Sequence, residues 1–272
     1  MRPAVPARLP SCSRSGSGAG RAGGAARATK KVGVRVELVQ YDVRDRVAHV
    51  TIANGKANAL SPDVLAGLGD ALTRAEDAGE ADVGALLITG APGMFSGGFD
   101  LEVMRSGPAA AGKLVTDGGE LFSRMYGSAM PVVAACSGHA IAAGALLLLG
   151  ADARIGAQGS FRIGLIETQL GMVLPRWAVE LAQERLSKRH LQDATVGARI
   201  YDPNGAADAG FLDTVVAPEA LAAAALTQAQ RWAALPRDAY RGQVRMCRGE
   251  RLGRLSDAIA ADRGRTFEVP GS

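Results

Sequence analysis

The sequence predicts an α/β fold of mixed or spiral form, and three observations predict it. Strand-like and helix-like stretches alternate along residues 32–272, the order that packs helices against a largely parallel sheet. Two of the strand candidates, residues 83–89 and 132–136, are continuous apolar runs, as in strands buried on both faces. No linker and no internal repeat of a standard period divides this stretch, so it reads as one folded unit.

The elements follow in order. Val34, Val36 and Leu38 alternate with Arg35 and Glu37, the period of a half-buried strand. Residues 47–53 repeat that signal after the polar turn Arg44-Asp45-Arg46, so the two stretches form a hairpin. A loop over residues 54–60 leads to Ser61, which caps a helix with Pro62 at its first position and Asp63 in its first turn. Val64, Leu65, Leu68, Leu72 and Ala75 form its apolar face. Between the two buried strands lie a Gly-rich loop and a mobile-looking stretch around residues 107–119. A helix starts near Gly144. Further helices follow Pro175, Pro203 and Pro218, with a short strand at residues 212–216.

Composition narrows the function classes. An apolar fraction of 47% and a charged fraction of 21% exclude a wholly disordered or fibrous chain. Glycine supplies 35 of 272 residues, against a usual share of about 7%, which suggests tight turns and close backbone contacts. The net charge of +4 comes from the head of the chain. Residues 1–31 carry seven basic residues and no acid, so the remainder holds 24 basic against 27 acidic residues. Nucleic-acid binders carry their basic surplus on the folded domain, so nucleic acid is not an expected partner. The longest apolar run, residues 140–151, falls short of the ~20 residues of a membrane helix, so no membrane is expected either. Cys12, Cys136 and Cys247 form no CxxC pair and too few thiols for a disulfide framework. A reducing compartment fits, the cytoplasm in a bacterial-type cell. Residues 1–31 read as a disordered or processed extension. Their Arg-rich, acid-free character is also that of a transit peptide, in which case the mitochondrial matrix is expected.

Common catalytic motifs are missing. Gly16-x-Gly18-x-Gly20 has no strand before it and no helix after it, so it is no dinucleotide loop. His49, His139 and His190 lack the spacing of metal ligands, and no metal is expected. There is no Gly-x-Ser-x-Gly elbow. Three segments remain. The first, around Gly97-Gly98-Phe99-Asp100-Leu101, follows a buried strand and turns sharply on its glycines. The second, residues 136–146, runs from a buried strand into a helix, whose first N–H groups lack partners and sit at the positive end of the helix dipole. One N–H from each can hold a carbonyl oxygen as it becomes an anion. The third, residues 161–171, sets Glu167 in an apolar run. Burial there raises a carboxyl pKa and suits it to move protons near neutral pH. The alternative is a buried, ion-paired structural acid.

Asn58-Ala59-Leu60-Ser61, Phe95-Ser96-Gly97-Gly98-Phe99-Asp100-Leu101, the turn over residues 137–144, and Gly164-Leu165-Ile166-Glu167-Thr168-Gln169-Leu170-Gly171 together resemble the crotonase (enoyl-CoA hydratase/isomerase) superfamily. The resemblance covers residues 34–268 and is closest to mitochondrial-type Δ3,Δ2-enoyl-CoA isomerases. It implies a crotonase-type spiral of ββα units over residues 32–216 and a C-terminal helical region over residues 217–272, to which Leu221, Leu226, Trp232 and Leu235 contribute. It implies oxyanion-hole N–H groups on Phe99 and Ala143, and a catalytic carboxyl on Glu167. Where family hydratases carry a second glutamate this chain has Leu146, which neither takes nor gives a proton. Ile166 departs from the isomerase subgroup, which has Asn there. The resemblance further implies an acyl-CoA thioester held by Lys56, Ala57, Ala59, Gly97, Gly98, Asp100 and Leu101, with Leu146 in the acyl wall. Lys56 is either a point contact for a CoA phosphate or a solvated loop lysine. No cofactor is implied beyond the coenzyme A of the substrate, and the assembly implied is a homotrimer or dimer of trimers. The function implied is an acyl-CoA isomerase with a single-glutamate proton shuttle, in fatty-acid oxidation. Two other readings stand beside it: a hydratase-like enzyme using another acid, such as Asp117 or Glu120, and a non-catalytic acyl-CoA-binding protein.

Overall fold

A computed structural model describes residues 38–267 of the chain; residues 1–31, Val34 and Val36 lie outside them. Strand β1 (Val39–Arg44) pairs antiparallel with β2 (Val47–Ile52). The turn sits where the polar triplet places it. Asp45 and Arg46 both adopt left-handed φ, 50° and 61°, the two-residue geometry that matches strand twist in a hairpin. The described strand begins at Val39, and the alternating stretch before Leu38 lies outside the described residues. Val39 and Tyr41 are half-buried between exposed Gln40 and Asp42, while Leu38 only borders it, accepting a bond from Ala53 N at 2.8 Å.

Helix α1 (Pro62–Asp77) begins as expected, with Ser61 Oγ accepting from Val64 N at 3.3 Å. Then come β3 (Ala85–Thr89), β4 (Gly93–Ser96), α2 (Leu101–Arg105), α3 (Pro108–Tyr126), β5 (Val132–Cys136), β6 (Gly138–Ile141), α4 (Ala143–Gly150), β7 (Ala153–Ala157) and β8 (Ile163–Gly164). Each of these three turns of chain gives one strand to each of two sheets, with α2 and α3 after the first, α4 after the second and α5 (Arg176–Arg185) after the third. The larger sheet has the order β1-β2-β3-β5-β7-β9, where β9 spans Thr214–Val216, and is parallel from β2 onward. The smaller has the order β4-β6-β8 and is parallel throughout. This is the expected ββα spiral. Helices α5 (Arg176–Arg185), α6 (Lys188–Thr195) and α7 (Pro203–Ala209) lead to β9 (Thr214–Val216).

The apolar run over residues 140–151 is the end of β6 followed by α4, every residue of which is buried. A helix apolar on all sides belongs in a core, and no described helix is long and apolar enough to cross a membrane. Helix α8 (Leu221–Ala233) lays Leu221, Ala225, Ala229 and Ala233 on Val47, Leu87, Val133 and Ile155 of the large sheet. Helix α9 (Arg237–Asp262) is fastened by Arg248, whose guanidinium meets Asp152 at 2.7 Å and the Tyr126 carbonyl at 2.6 Å. Of the four apolar residues expected to pack in this region, Leu235 is exposed.

The stretch around residues 107–119 is not mobile-looking in the structure but the first part of α3, which enters at Pro108 after Gly107. Two of its glycines serve close packing. A Cβ on Gly118 would stand 2.5 Å from the Phe99 ring, and one on Gly119 would stand 2.8 Å from the Trp177 indole. Replacing Gly119 by Ala therefore overpacks the core, and we expect a loss of about 1–3 kcal/mol, read as a lowered midpoint in thermal unfolding. Exposed Gly249 in α9 meets nothing within 4 Å of its would-be Cβ. There Gly249→Ala gains up to about 1 kcal/mol from helix propensity alone, and the midpoint rises.

Candidate active site

Three loops meet at the ends of the two sheets, and backbone contacts hold them. Gly97 N donates to the Ala57 carbonyl at 2.8 Å, Leu60 N to Gly98 O at 2.8 Å, and Asp100 N to Leu60 O at 3.2 Å. Asn58, fully buried and left-handed at φ 48°, fills the space beneath. Its Oδ1 accepts from Asn54 N at 2.8 Å, and its Nδ2 donates to Phe95 O at 2.9 Å. Leu60 pairs with the groups on either side of Phe99, so the Phe99 N–H points the opposite way, as alternate groups do in extended chain. It donates to nothing among the described residues.

Gly98 presses this loop against the start of α4. It sits at φ 98°, and a Cβ there would lie 2.9 Å from the Ile141 carbonyl oxygen and 3.3 Å from Ala143 N. Gly144 is equally confined, with Ser96 O 2.3 Å from its would-be Cβ. Ala142 turns the chain from β6 into α4 at φ 52° and ψ −123°, a costly conformation for a residue with a side chain. Ala143 is then the first residue of the helix. Its N–H has no partner within the helix by position and donates to nothing among the described residues.

A cavity of about 280 Å³ opens between these loops and α3. Phe99, Ala143, Leu146, Glu167, Gly97 and Leu101 line it. Leu146 stands three residues beyond Ala143, nearly one helical turn, and is buried. Glu167 begins the 3₁₀ turn Thr168–Leu170 and is the only acid among the lining residues. The residue is partly exposed, but its Oε2 is cut off from solvent and has no hydrogen-bond partner among the described residues. Burial pushes its carboxyl up to about 7, against a smaller opposing pull from the N–H groups of Glu167 and Ile166.

The other residues expected at the site lie apart from this cavity. Lys56 and Ala57 are exposed, and Ala59 is half-buried, in the loop behind Gly97. Gly98 is buried behind the cavity wall. Asp100 spends its side chain on α2, where Oδ1 accepts from Glu102 N at 2.8 Å and Val103 N at 3.4 Å. Asp117 pairs with Lys113 at 2.7 Å and Glu120 with Arg263 at 2.7 Å. Neither of these alternative acids reaches the cavity. No cluster of three or more His, Cys, Asp or Glu able to hold a metal occurs among the described residues. Sequence reasoning missed Asn58 as a clasp, although a buried asparagine that adopts left-handed φ is a loop signal. It also missed Met104, Val115, Met172 and Phe267 in the cavity wall, since no local pattern joins positions so far apart.

Residues 42–263 match the family model described as enoyl-CoA hydratase/isomerase. The chain is 32% identical over 247 residues to human mitochondrial enoyl-CoA delta isomerase 1, covering 89% of this chain and 80% of that protein. Among solved structures, an enoyl-CoA hydratase/isomerase family protein from Pseudomonas syringae superposes with a TM-score of 0.80 at 44% identity, over 83% of this chain and 96% of that one. The apo structure of an enoyl-CoA isomerase from Mycobacterium tuberculosis gives a TM-score of 0.78 at 34% identity, over 83% and 97% of the two chains. With the motifs in the expected order, the ββα spiral in place and a family model spanning most of its length, the chain belongs to the enoyl-CoA hydratase/isomerase family of enzymes, within the crotonase superfamily.

Proposed function

We propose that this enzyme is an acyl-CoA isomerase that moves a double bond from the 3- to the 2-position of an enoyl-CoA in fatty-acid oxidation. The observation that carries this reading is a single carboxyl, Glu167, in a cavity whose second candidate position is Leu146. In the proposed mechanism the thioester oxygen accepts from the N–H groups of Phe99 and Ala143. The Glu167 carboxylate removes a proton from C2. The electron pair left behind spreads into the carbonyl, and the oxygen gains negative charge as a dienolate, which positioned N–H donors stabilise. The same carboxyl then returns its proton to C4, and the double bond lies between C2 and C3. Nothing is consumed, so no cofactor is needed beyond the coenzyme A of the substrate. Hydration needs a group to activate water as well as one to protonate carbon, and Leu146 provides neither. The raised Glu167 pKa supports the role, because a proton shuttle works best with a pKa near the working pH. The human relative's name is that of an enoyl-CoA delta isomerase, in keeping with this reading. The proposal includes a homotrimer or dimer of trimers, located in the cytoplasm or, if residues 1–31 act as a transit peptide, in the mitochondrial matrix.

The test mixes purified protein with 3-hexenoyl-CoA and, separately, with crotonyl-CoA. Rapid formation of 2-hexenoyl-CoA with slow hydration of crotonyl-CoA is expected. Faster hydration than isomerisation sinks the proposal in favour of a hydratase, and binding without turnover sinks it in favour of a binding protein. Glu167→Gln is expected to lower kcat by about 10²–10⁴-fold. In the unaltered enzyme kcat should climb with pH through about 7, as the carboxyl loses its proton, and then level off.

Stability moves the other way. A carboxyl whose folded pKa lies above its ordinary value favours the native state at low pH. That contribution is fully present below about 4.5 and is lost as pH rises through about 7. Glu167→Gln removes the loss. Its thermal midpoint is expected to exceed that of the unaltered enzyme at pH 8, with the gap closing by pH 5. Equal midpoints at pH 8 would show that the carboxyl is not held in an apolar setting.

A further inference from the structure

The cavity has a closed end and an open one. Leu101, Leu170 and Val173 line it and are 53%, 45% and 73% exposed, whereas Met104, Val115 and Phe267 line it and are at most 6% exposed. Building on the acyl-CoA reading above, the charged, bulky CoA stays toward the solvent and the acyl chain points to the closed end. Phe267 comes from the segment that follows α9, far in sequence from every other part of this end wall.

That segment is anchored rather than loosely applied. Asp262, the last residue of α9, is 1% exposed. Its Oδ1 accepts from Arg265 Nη1 at 2.6 Å, and its Oδ2 accepts from Trp177 N at 3.4 Å. The Arg265 guanidinium lies 5.2 Å from the centroid of the Phe267 ring, within the reach of a cation–π contact. The Arg265 carbonyl oxygen is 2.9 Å from where a Cβ on Gly112 would stand, so the segment rests directly on the backbone of α3. Asp262 thus fixes Arg265, and Arg265 fixes the ring that closes the cavity.

We infer that Phe267 is a specificity-determining residue, the end stop that limits this enzyme to short acyl chains. The buried ring sets how far an acyl chain can run into the cavity. A chain that outreaches it has to displace Phe267 or leave its tail in the mouth. One methylene gained or lost in an apolar pocket changes discrimination by about 10–200-fold, so this wall is strongly felt.

The test uses the full chain and equilibrium binding of the saturated thioesters hexanoyl-CoA and decanoyl-CoA, which needs no turnover. Phe267→Ala is expected to raise the affinity for decanoyl-CoA relative to hexanoyl-CoA at least tenfold over the unaltered enzyme. Phe267→Leu, which keeps an apolar side chain on the core, should shift the ratio the same way by a smaller factor, and it carries the test if the alanine variant fails to fold. Phe267→Trp should shift it the other way. Ratios within twofold of the unaltered enzyme in the folded variants overturn the inference while leaving the acyl-CoA reading intact. Binding of neither thioester to the unaltered enzyme overturns both.

Discussion

The site depends on backbone lying against backbone at Gly98. No side chain could stand between that residue and the first residues of α4. Because the gap is closed, Phe99 and Ala143, from different strand-to-helix turns, line one cavity, and neither N–H donates to a group among the described residues. Hydrogen bonds between main-chain groups set the separation: Ala57 to Gly97 and Leu60 to both Gly98 and Asp100. The buried amide of Asn58 braces the loop from below. In the proposed mechanism, main-chain donors held this way keep their aim, because the whole sheet would have to move to turn them. The left-handed turn at Ala142 is a local cost of the same arrangement, carried by the buried α4 behind it.

Opposed to this rigid cradle is one group that the fold holds at a disadvantage. An ionised carboxylate is unfavourable in an apolar wall, and Glu167 has an oxygen without a partner among the described residues. A second acid beside it would share the strain and change the chemistry. Leu146 instead keeps that neighbourhood apolar. In the proposed mechanism, stability and reactivity are therefore set against each other at one side chain, a common condition of active sites.

Much of this was legible in the sequence, because the informative signals were local. The Ser61 cap and Pro62 fixed one end of α1, and Asp45-Arg46 located the hairpin turn. Continuous apolar runs marked β3 and β5, and glycine-rich turns after β3 and β5 marked two of the segments that line the cavity. What escaped was set by contacts between distant parts of the chain. Gly118 and Gly119 read as loop residues because their reason for being glycine is Phe99 and Trp177. The capping role of the Asp100 side chain in the first turn of α2 also went unread. Phe267 gave no signal, since its place in the cavity is decided by a buried aspartate and an arginine acting through tertiary structure.

The walls of the cavity are drawn from Gly97 through Phe267. Such an enclosure cannot exist in a partly assembled molecule. The spiral, α9 and the segment beyond it must all be seated before the hollow has sides. Contacts this distant along the chain form late and slowly. A molecule able to bind its thioester is therefore one that has completed folding, and an occupant of the hollow draws the population toward that state by mass action.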